Sequence, residues 1–527
     1  MPSASSPVVA SGAVGAGSAT TPLSTGPDLV EHLAFGLELK FLLLGLPLTE
    51  GGGGGPSTPR EQRLSDAHLA SSESSLQQRA YSAIARAIER GAGSEIGKGK
   101  GRITRNKEDR ATTTATTTTA AADDENAVSA PFSLRAISRH DVARGGRSER
   151  DYWATHWIVK KANSVEHTAT DPRPDARRTL GPAVPVELSS PKLAWWMDPC
   201  APYSVREVVS RIKTFPVITN HTCDVHVHIG RYDGASFTLP TLKKLATVFW
   251  LAEPILRSVR DPHSPNFSNA YTWGSEQRRW SRLALALERH RRLAAVAASA
   301  AGIQDHADEE LPVDDVNIAE EVLLRLRQGN SGLRDKGEED WYQYMGSTGR
   351  SAFRNEALRA IWRTESTVEL GLLLSGVRRE HRRLGFNFSA FGGEDERART
   401  NPRTIEFRIL DGTLQEELVL GWLQICGQLT ALGMKGHQAQ FRDVVRYLLA
   451  QQPAYEELQR SAGDLALGSR ESHGSERVER PGWPGRSDRA ARPSRHVLFG
   501  DFMDRIGVDA IAYEPFQAKI LQEYGSA

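Results

Sequence analysis

Apolar and polar residues alternate strictly in four short stretches of this chain, and such alternation marks a strand with two unlike faces. In FGLELKF (35–41), Leu37, Leu39 and Phe41 share one face while Glu38 and Lys40 share the other. In VPVELSS (184–190), Val186 and Leu188 oppose Glu187 and Ser189. TCDVHVHIG (222–230) sets Cys223, Val225, Val227 and Ile229 against Asp224, His226 and His228, and RTIEFRIL (403–410) sets Ile405, Phe407 and Ile409 against Glu406 and Arg408. An antiparallel sheet can be one-sided in this way, buried under helices on its apolar face and open on its polar face. The expected fold is therefore α+β, an antiparallel sheet with helices packed on one face and an active-site cleft on the other.

The helices are also legible. Residues 239–259 carry Pro240 in the first turn and apolar Leu242, Leu245, Phe249 and Leu256 at helical spacing. After the fourth strand, Asp411-Gly412 predicts a turn and Thr413 with Glu416 has the spacing of a capping box. The segment that follows places Leu414, Leu418, Trp422, Ile425 and Leu429 on one helical face.

Between these elements the pattern lapses. Residues 1–27 are rich in Ser, Ala, Gly and Pro and read as a disordered tail. An apolar island (28–48) comes next, followed by a long polar insert (49–150) in which only QQRAYSAIARAIERG (77–91) reads as an amphipathic helix. Ordered sequence is expected over 151–280 and 340–450, separated by an insert at 281–339. A disordered linker (451–497) and a short helical tail (498–527) complete the chain. The island is too small to bury a core alone, so it must pair with strands encoded far downstream. One discontinuous domain spanning 28–450 and carrying disordered inserts is the simplest organisation.

Composition narrows the function. Lys plus Arg (66) and Asp plus Glu (65) nearly cancel, leaving a formal charge of +1. No global field draws the chain to nucleic acid or an anionic membrane. The three cysteines form no CxxC pair, which points to a reducing, cytoplasmic setting with buried thiols. The N-terminus lacks the basic and apolar regions of a signal peptide. The greasiest run, 33–48, carries Glu38 and Lys40 and is too short to span a bilayer.

The polar faces hold the candidate chemistry. His226 and His228 lie on one strand face with Cα atoms roughly 6.5–7 Å apart, so both can project into one site. Imidazole with carboxylates suits divalent cations, and Arg408 beside Glu406 offers a fork for phosphate or carboxylate. Taken singly, HxH, ExK and ExR are equally ordinary solvated or ion-paired faces. Their agreement on one layout across four strands is what makes a metal-and-phosphate site.

These residues resemble a known family. HTCDVHVHIG followed by FTLPTLKKLATVFWLAE is similar to one signature of the fungal-type amidoligase enzymes, and RTIEFRILDGTLQEELVLGWLQICGQL to a second. AFGLELKFLL resembles the family's opening strand, and WIVKKANSV with PVELSSPKL resembles the segment between, all in family order. The resemblance implies a carboxylate–amine ligase fold related to glutamine synthetase and glutamate–cysteine ligase. Such enzymes use ATP and Mg2+ or Mn2+ to phosphorylate a small-molecule, peptide or protein carboxylate, and an amine then displaces the phosphate. By matched position it implies that Glu38, His226, His228 and Glu406 serve the metal and that Glu187, Lys40 and Arg408 face the nucleotide. Glu406, Arg408 and His228 would be the residues closest to the chemistry. The chain departs from the family pattern at Lys40, Ala162, Leu410 and Gln415, where the family carries acids or a histidine. Two other readings stay open: a catalytically degenerate homologue acting as a nucleotide-binding or scaffold protein, and, ranked lower, a metal-dependent hydrolase using the HVH pair.

Overall fold

The computed structural model describes residues 33–44, 66–89, 134–166, 183–194, 200–264, 276–298, 322, 336–376, 384–392, 403–434, 438–468 and 494–524. Its centre is a nine-stranded sheet. The strands are β1 (Leu33–Leu43), β2 (Ala136–Ser138), β3 (Trp157–Lys161), β4 (Val184–Ser189), β5 (Leu193–Ala194), β6 (Val217–Ile218), β7 (Val225–Arg231), β8 (Phe386–Asn387) and β9 (Ile405–Phe407). They are ordered β2-β3-β4-β1-β7-β9-β8, with β5 and β6 adding to β1. The apolar island is thus the middle strand. β1 lies between β4 and β7 and pairs antiparallel with both, which satisfies both edges of its backbone.

All the long ladders are antiparallel; β2 pairs parallel with β3. A parallel pair needs a crossover connection, and residues 139–156, which include the helix Arg139–Arg144, supply one. The fourth predicted strand is shorter than its pattern. From His228 to Asp224 takes four residues on β7, whereas their partners Glu406 and Asp411 lie five residues apart. The extra residue is a β-bulge within 408–410, and it brings Asp411 beside Asp224. The expected turn at Asp411-Gly412 does not form there. Gly412 continues alongside β7, donating its N–H to the Cys223 carbonyl at 2.8 Å. Nor does the capping box close: the Thr413 hydroxyl accepts the Gln415 N–H, and Glu416 pairs with Arg206 instead.

The longer helices are α1 (Asp66–Glu89), α2 (Cys200–Ile212), α3 (Leu239–Leu256), α4 (Arg282–Ala298), α5 (Glu416–Met434), α6 (Gln438–Gly468), α7 (Arg495–Ile506) and α8 (Ala510–Tyr524). The apolar strand face, including Leu37, Leu39, Phe41, Val186, Val225, Val227 and Phe407, joins one core with these helices. In that core Phe249 of α3 stacks on Phe386 and meets Phe407 edge-on, with centroids 4.3 and 5.4 Å apart.

Three segments expected to lie outside the core belong to it. In the insert 49–150, α1 buries Leu76, Ala80, Tyr81, Ile84 and Ile88 at helical spacing, and β2 extends the sheet. In the insert 281–339, α4 buries Leu283, Ala286 and Leu287. The expected helical tail buries Leu498, Phe499, Phe502, Phe516 and Ile520. The expected linker at 451–497 is helical as far as Gly468. Local composition hides docking of this kind, because each helix is apolar on only one stripe. The tail at 1–27, the Gly- and Thr-rich stretches of the first insert and residues 469–493 lie outside the described residues. No described helix is long and apolar enough to cross a membrane.

Candidate functional site

Strand pairing sets the polar face in rows. One row runs from Lys160 on β3 through Glu187 on β4 to Lys40 on β1. The next runs from Ser189 through Glu38 to His226 on β7. A third joins Gly36, His228, Glu406 on β9 and Asn387 on β8. At one end a small apolar cluster of Leu42, Ala162, Val165 and Cys223 closes the face. The departures at Ala162 and Leu410 are fully buried, so both are packing positions.

All seven sequence-predicted residues lie on this face, but they divide into groups. Glu38, His228 and Glu406 converge, each with a ligand atom within 4.8 Å of the others, and they form the group able to hold a metal ion among the described residues. His228 Nε2 is buried and lies 3.5 Å from Glu38 Oε1 and 3.8 Å from Glu406 Oε1. The Thr404 hydroxyl sits 3.5 Å from His228 Nδ1, where it orients the ring. A buried imidazole nitrogen set between two carboxylates fits a divalent cation.

His226 stands apart from that group. Its Nδ1 contacts Glu38 at 3.0 Å and Glu406 at 3.3 Å, and its Nε2 faces Lys40 at 3.4 Å and Asp224 at 3.6 Å. Both ring nitrogens are engaged by side chains, which makes His226 a strut between two rows. Glu187 pairs with Lys160 at 3.0 Å, across from Lys40. Arg408 donates to Glu406 at 2.5 Å, and Asn387 donates to the other Glu406 oxygen at 2.6 Å.

The electrostatics follow from this crowding. Burial alone would raise the Glu38 carboxyl, but His226 and His228 beside it hold it well below the usual range. Glu406 is likewise held low against its burial, first by Arg408 and then by the two histidines. Asp224 is lowered to about 2 because His226 and Arg260 outweigh its burial. Burial would pull His228 down, yet the charges of Glu406 and Glu38 raise it above its ordinary value. Carboxylates that draw a proton onto His228 attract a divalent cation by the same charge, so ion binding would release that proton. Arg408 is raised as well, its burial outweighed by Glu406, and stays charged.

Sequence reasoning did not single out Asn387, Thr404 or Arg260. Asn387 had a signal, since Phe386 and Phe388 flank it with strand alternation. Arg260 had none: it reaches Asp224 at 3.7 Å and Asp411 at 3.2 Å where the bulge after β9 sets those two carboxylates side by side. Of the three cysteines, Cys223 and Cys426 are buried as expected, with Cys223 pushed up to about 12 by burial and Cys426 well above its ordinary value for the same reason.

Fold and site together define a mixed α/β protein whose largely antiparallel sheet carries a histidine–carboxylate–arginine cluster on its polar face. Residues 138–296 match the family model described as "Putative amidoligase enzyme". The match spans 159 of the 527 residues and is a likeness over that segment. It covers Lys160, Glu187, His226 and His228, while Glu38, Glu406 and Arg408 lie beyond it and reach the site through the sheet. No curated protein and no solved structure matches the chain.

Proposed function

We propose that this protein is an ATP- and divalent-metal-dependent carboxylate–amine ligase that forms an amide through an acyl-phosphate. The observation that carries the reading is the convergence of Glu38, His228 and Glu406 beside Arg408 on the polar face of the sheet. A bound Mg2+ or Mn2+ would neutralise phosphate charge there. Glu38, His228 and Glu406 would hold it, with Thr404 orienting His228 and Asn387 orienting Glu406. The Arg408 guanidinium, pinned by Glu406, would stabilise the charge that develops on the transferred phosphoryl group. Lys160 and Lys40, flanking Glu187, would favour the nucleotide's anionic end. The amine donor and the acid would meet over the exposed edges of Glu38 and His228. The reading includes a fold relationship to glutamine synthetase and glutamate–cysteine ligase, and the helix-backed antiparallel sheet with one polar face supports it. A cytoplasmic setting, where ATP is available, belongs to the same reading.

A second reading has one observation in its favour. Lys40 is 5% exposed and points its ammonium at His226, in the middle of the candidate site. A cation there suits a degenerate homologue that retains nucleotide binding without turnover. Metal-dependent ATP binding by the full-length protein, with Glu406→Gln alongside, is the first test. Binding that needs Mg2+ or Mn2+ and weakens at least tenfold in Glu406→Gln is the expected outcome. ATP binding with no release of ADP across a panel of acids and amines favours the degenerate homologue. A folded wild-type protein that binds no nucleotide overturns both.

A further inference from the structure

Across the row nearest the apolar cluster the charges alternate in sign. The Lys160 ammonium meets Glu187 at 3.0 Å, and Glu187 is the cross-strand partner of Lys40. Asp224, just before β7, follows on the far side of Lys40 and is held in turn by Arg260 at 3.7 Å. Lys40 is therefore a buried cation with a carboxylate-bearing neighbour on either side and the His226 Nε2 3.4 Å in front of it. Two carboxylates and an imidazole nitrogen are the donor types that surround a divalent ion. We propose that the Lys40 ammonium takes the place of a second cation in this cleft, so that a single divalent ion binds per chain, at Glu38, His228 and Glu406.

This inference rests on the metal-dependent ligase reading and adds the number of ions to it. Three features of the molecule argue for it. The carboxylates of Glu38, Glu187, Asp224 and Glu406 face the cations of Lys40, Lys160, Arg260 and Arg408, so little net negative charge is left to attract a second divalent ion. Both nitrogens of His226 are engaged, which removes the ligand best placed to serve two ions at once. Finally, the group with mutually close ligand atoms stops at Glu38, His228 and Glu406 among the described residues. A fixed ammonium supplies positive charge to an incoming phosphate without exchanging with solvent, and it imposes no coordination geometry.

The test is the count of Mn2+ bound per full-length chain, read from the loss of the free-ion electron paramagnetic resonance signal during titration. The wild type is expected to bind one ion and Lys40→Glu two, with thermal melting confirming that the variant folds. A wild-type count of two overturns the inference, as does a folded Lys40→Glu that stops at one. A wild-type count of zero overturns it together with the metal-dependent reading, so the two failures are distinguishable. Should Lys40→Glu fail to fold, Lys40→Gln removes the charge and keeps an oxygen donor. Its count is expected to rise above one at higher Mn2+, and a plateau at one overturns the inference.

Discussion

Single residues on the polar face act through what they leave room for as much as through what they touch. Gly36 stands in the row of His228 and Glu406, and a Cβ placed on it would meet nothing nearer than the His228 Cβ at 3.9 Å. A strand interior normally disfavours glycine by ~0.5–1 kcal/mol. Here the missing side chain keeps open the space beside Glu38 and His228 into which a ligand would enter. Gly36→Val is thus expected to leave the melting temperature within a few degrees of wild type, because β-branched residues suit strands. The same change should weaken metal-dependent ATP binding at least tenfold. Unaltered binding by a folded Gly36→Val would mean that the ligand approaches from elsewhere on the face. Most of the site was legible residue by residue, since Glu38, Lys40, Glu187, His226, His228, Glu406 and Arg408 all sit at polar positions of alternating segments. Their division of labour was not. Spacing along one strand cannot tell that His226 bridges Glu38 and Asp224 while His228 turns its Nε2 between Glu38 and Glu406.

At the scale of elements, strands long enough to alternate were readable and the short ones were not. β1, β4 and β7 each carry several in–out repeats, whereas β2 and β8 have three and two residues and exist because longer neighbours offer them an edge. The bulge after β9 is similarly invisible, because a one-residue slip needs the partner strand to define it. It nevertheless decides which charges meet, since it sets Asp411 beside Asp224 and hence under Arg260. Gly412 makes that crossing possible: a Cβ there would lie 2.2 Å from the Cys223 Cβ and 2.8 Å from its carbonyl carbon. Backbone cannot yield cheaply, so Gly412→Ala is expected to cost roughly 3 kcal/mol by overpacking. Chemical denaturation measures this, and a midpoint equal to that of wild type would show that β7 and residues 411–412 separate more easily than their spacing implies.

At the scale of the whole molecule, the C-terminal helices are as much a part of the frame of the candidate site as the strands. Phe516 of α8 packs against Trp422 of α5 with centroids 6.0 Å apart, and a Cβ on Gly421 would meet the Ala512 carbonyl oxygen at 2.2 Å, so the two helices touch backbone to backbone. From the same helix, Lys519 donates to the Val259 carbonyl at 2.7 Å and Tyr524 to the Arg260 carbonyl at 2.9 Å. That bracing fixes the backbone from which Arg260 reaches Asp224, the neighbour of His226. Burying a side chain of the Leu or Phe class contributes about 2 kcal/mol, and a domain's whole stability is only about 5–15 kcal/mol. Removing Leu498, Phe499, Phe502, Met503, Phe516 and Ile520 together costs about 12 kcal/mol on that scale, which is comparable to the whole stability. A chain ending at residue 493 is expected to be insoluble or to lack a cooperative melt, and Phe516→Ala to stay folded with a loss of about 3–5 kcal/mol. A shortened chain that melts cooperatively within a few degrees of the full-length protein would show instead that the sheet and α3, α5 and α6 form a self-sufficient core. Arg260 would then hold Asp224 without help from the C-terminal helices.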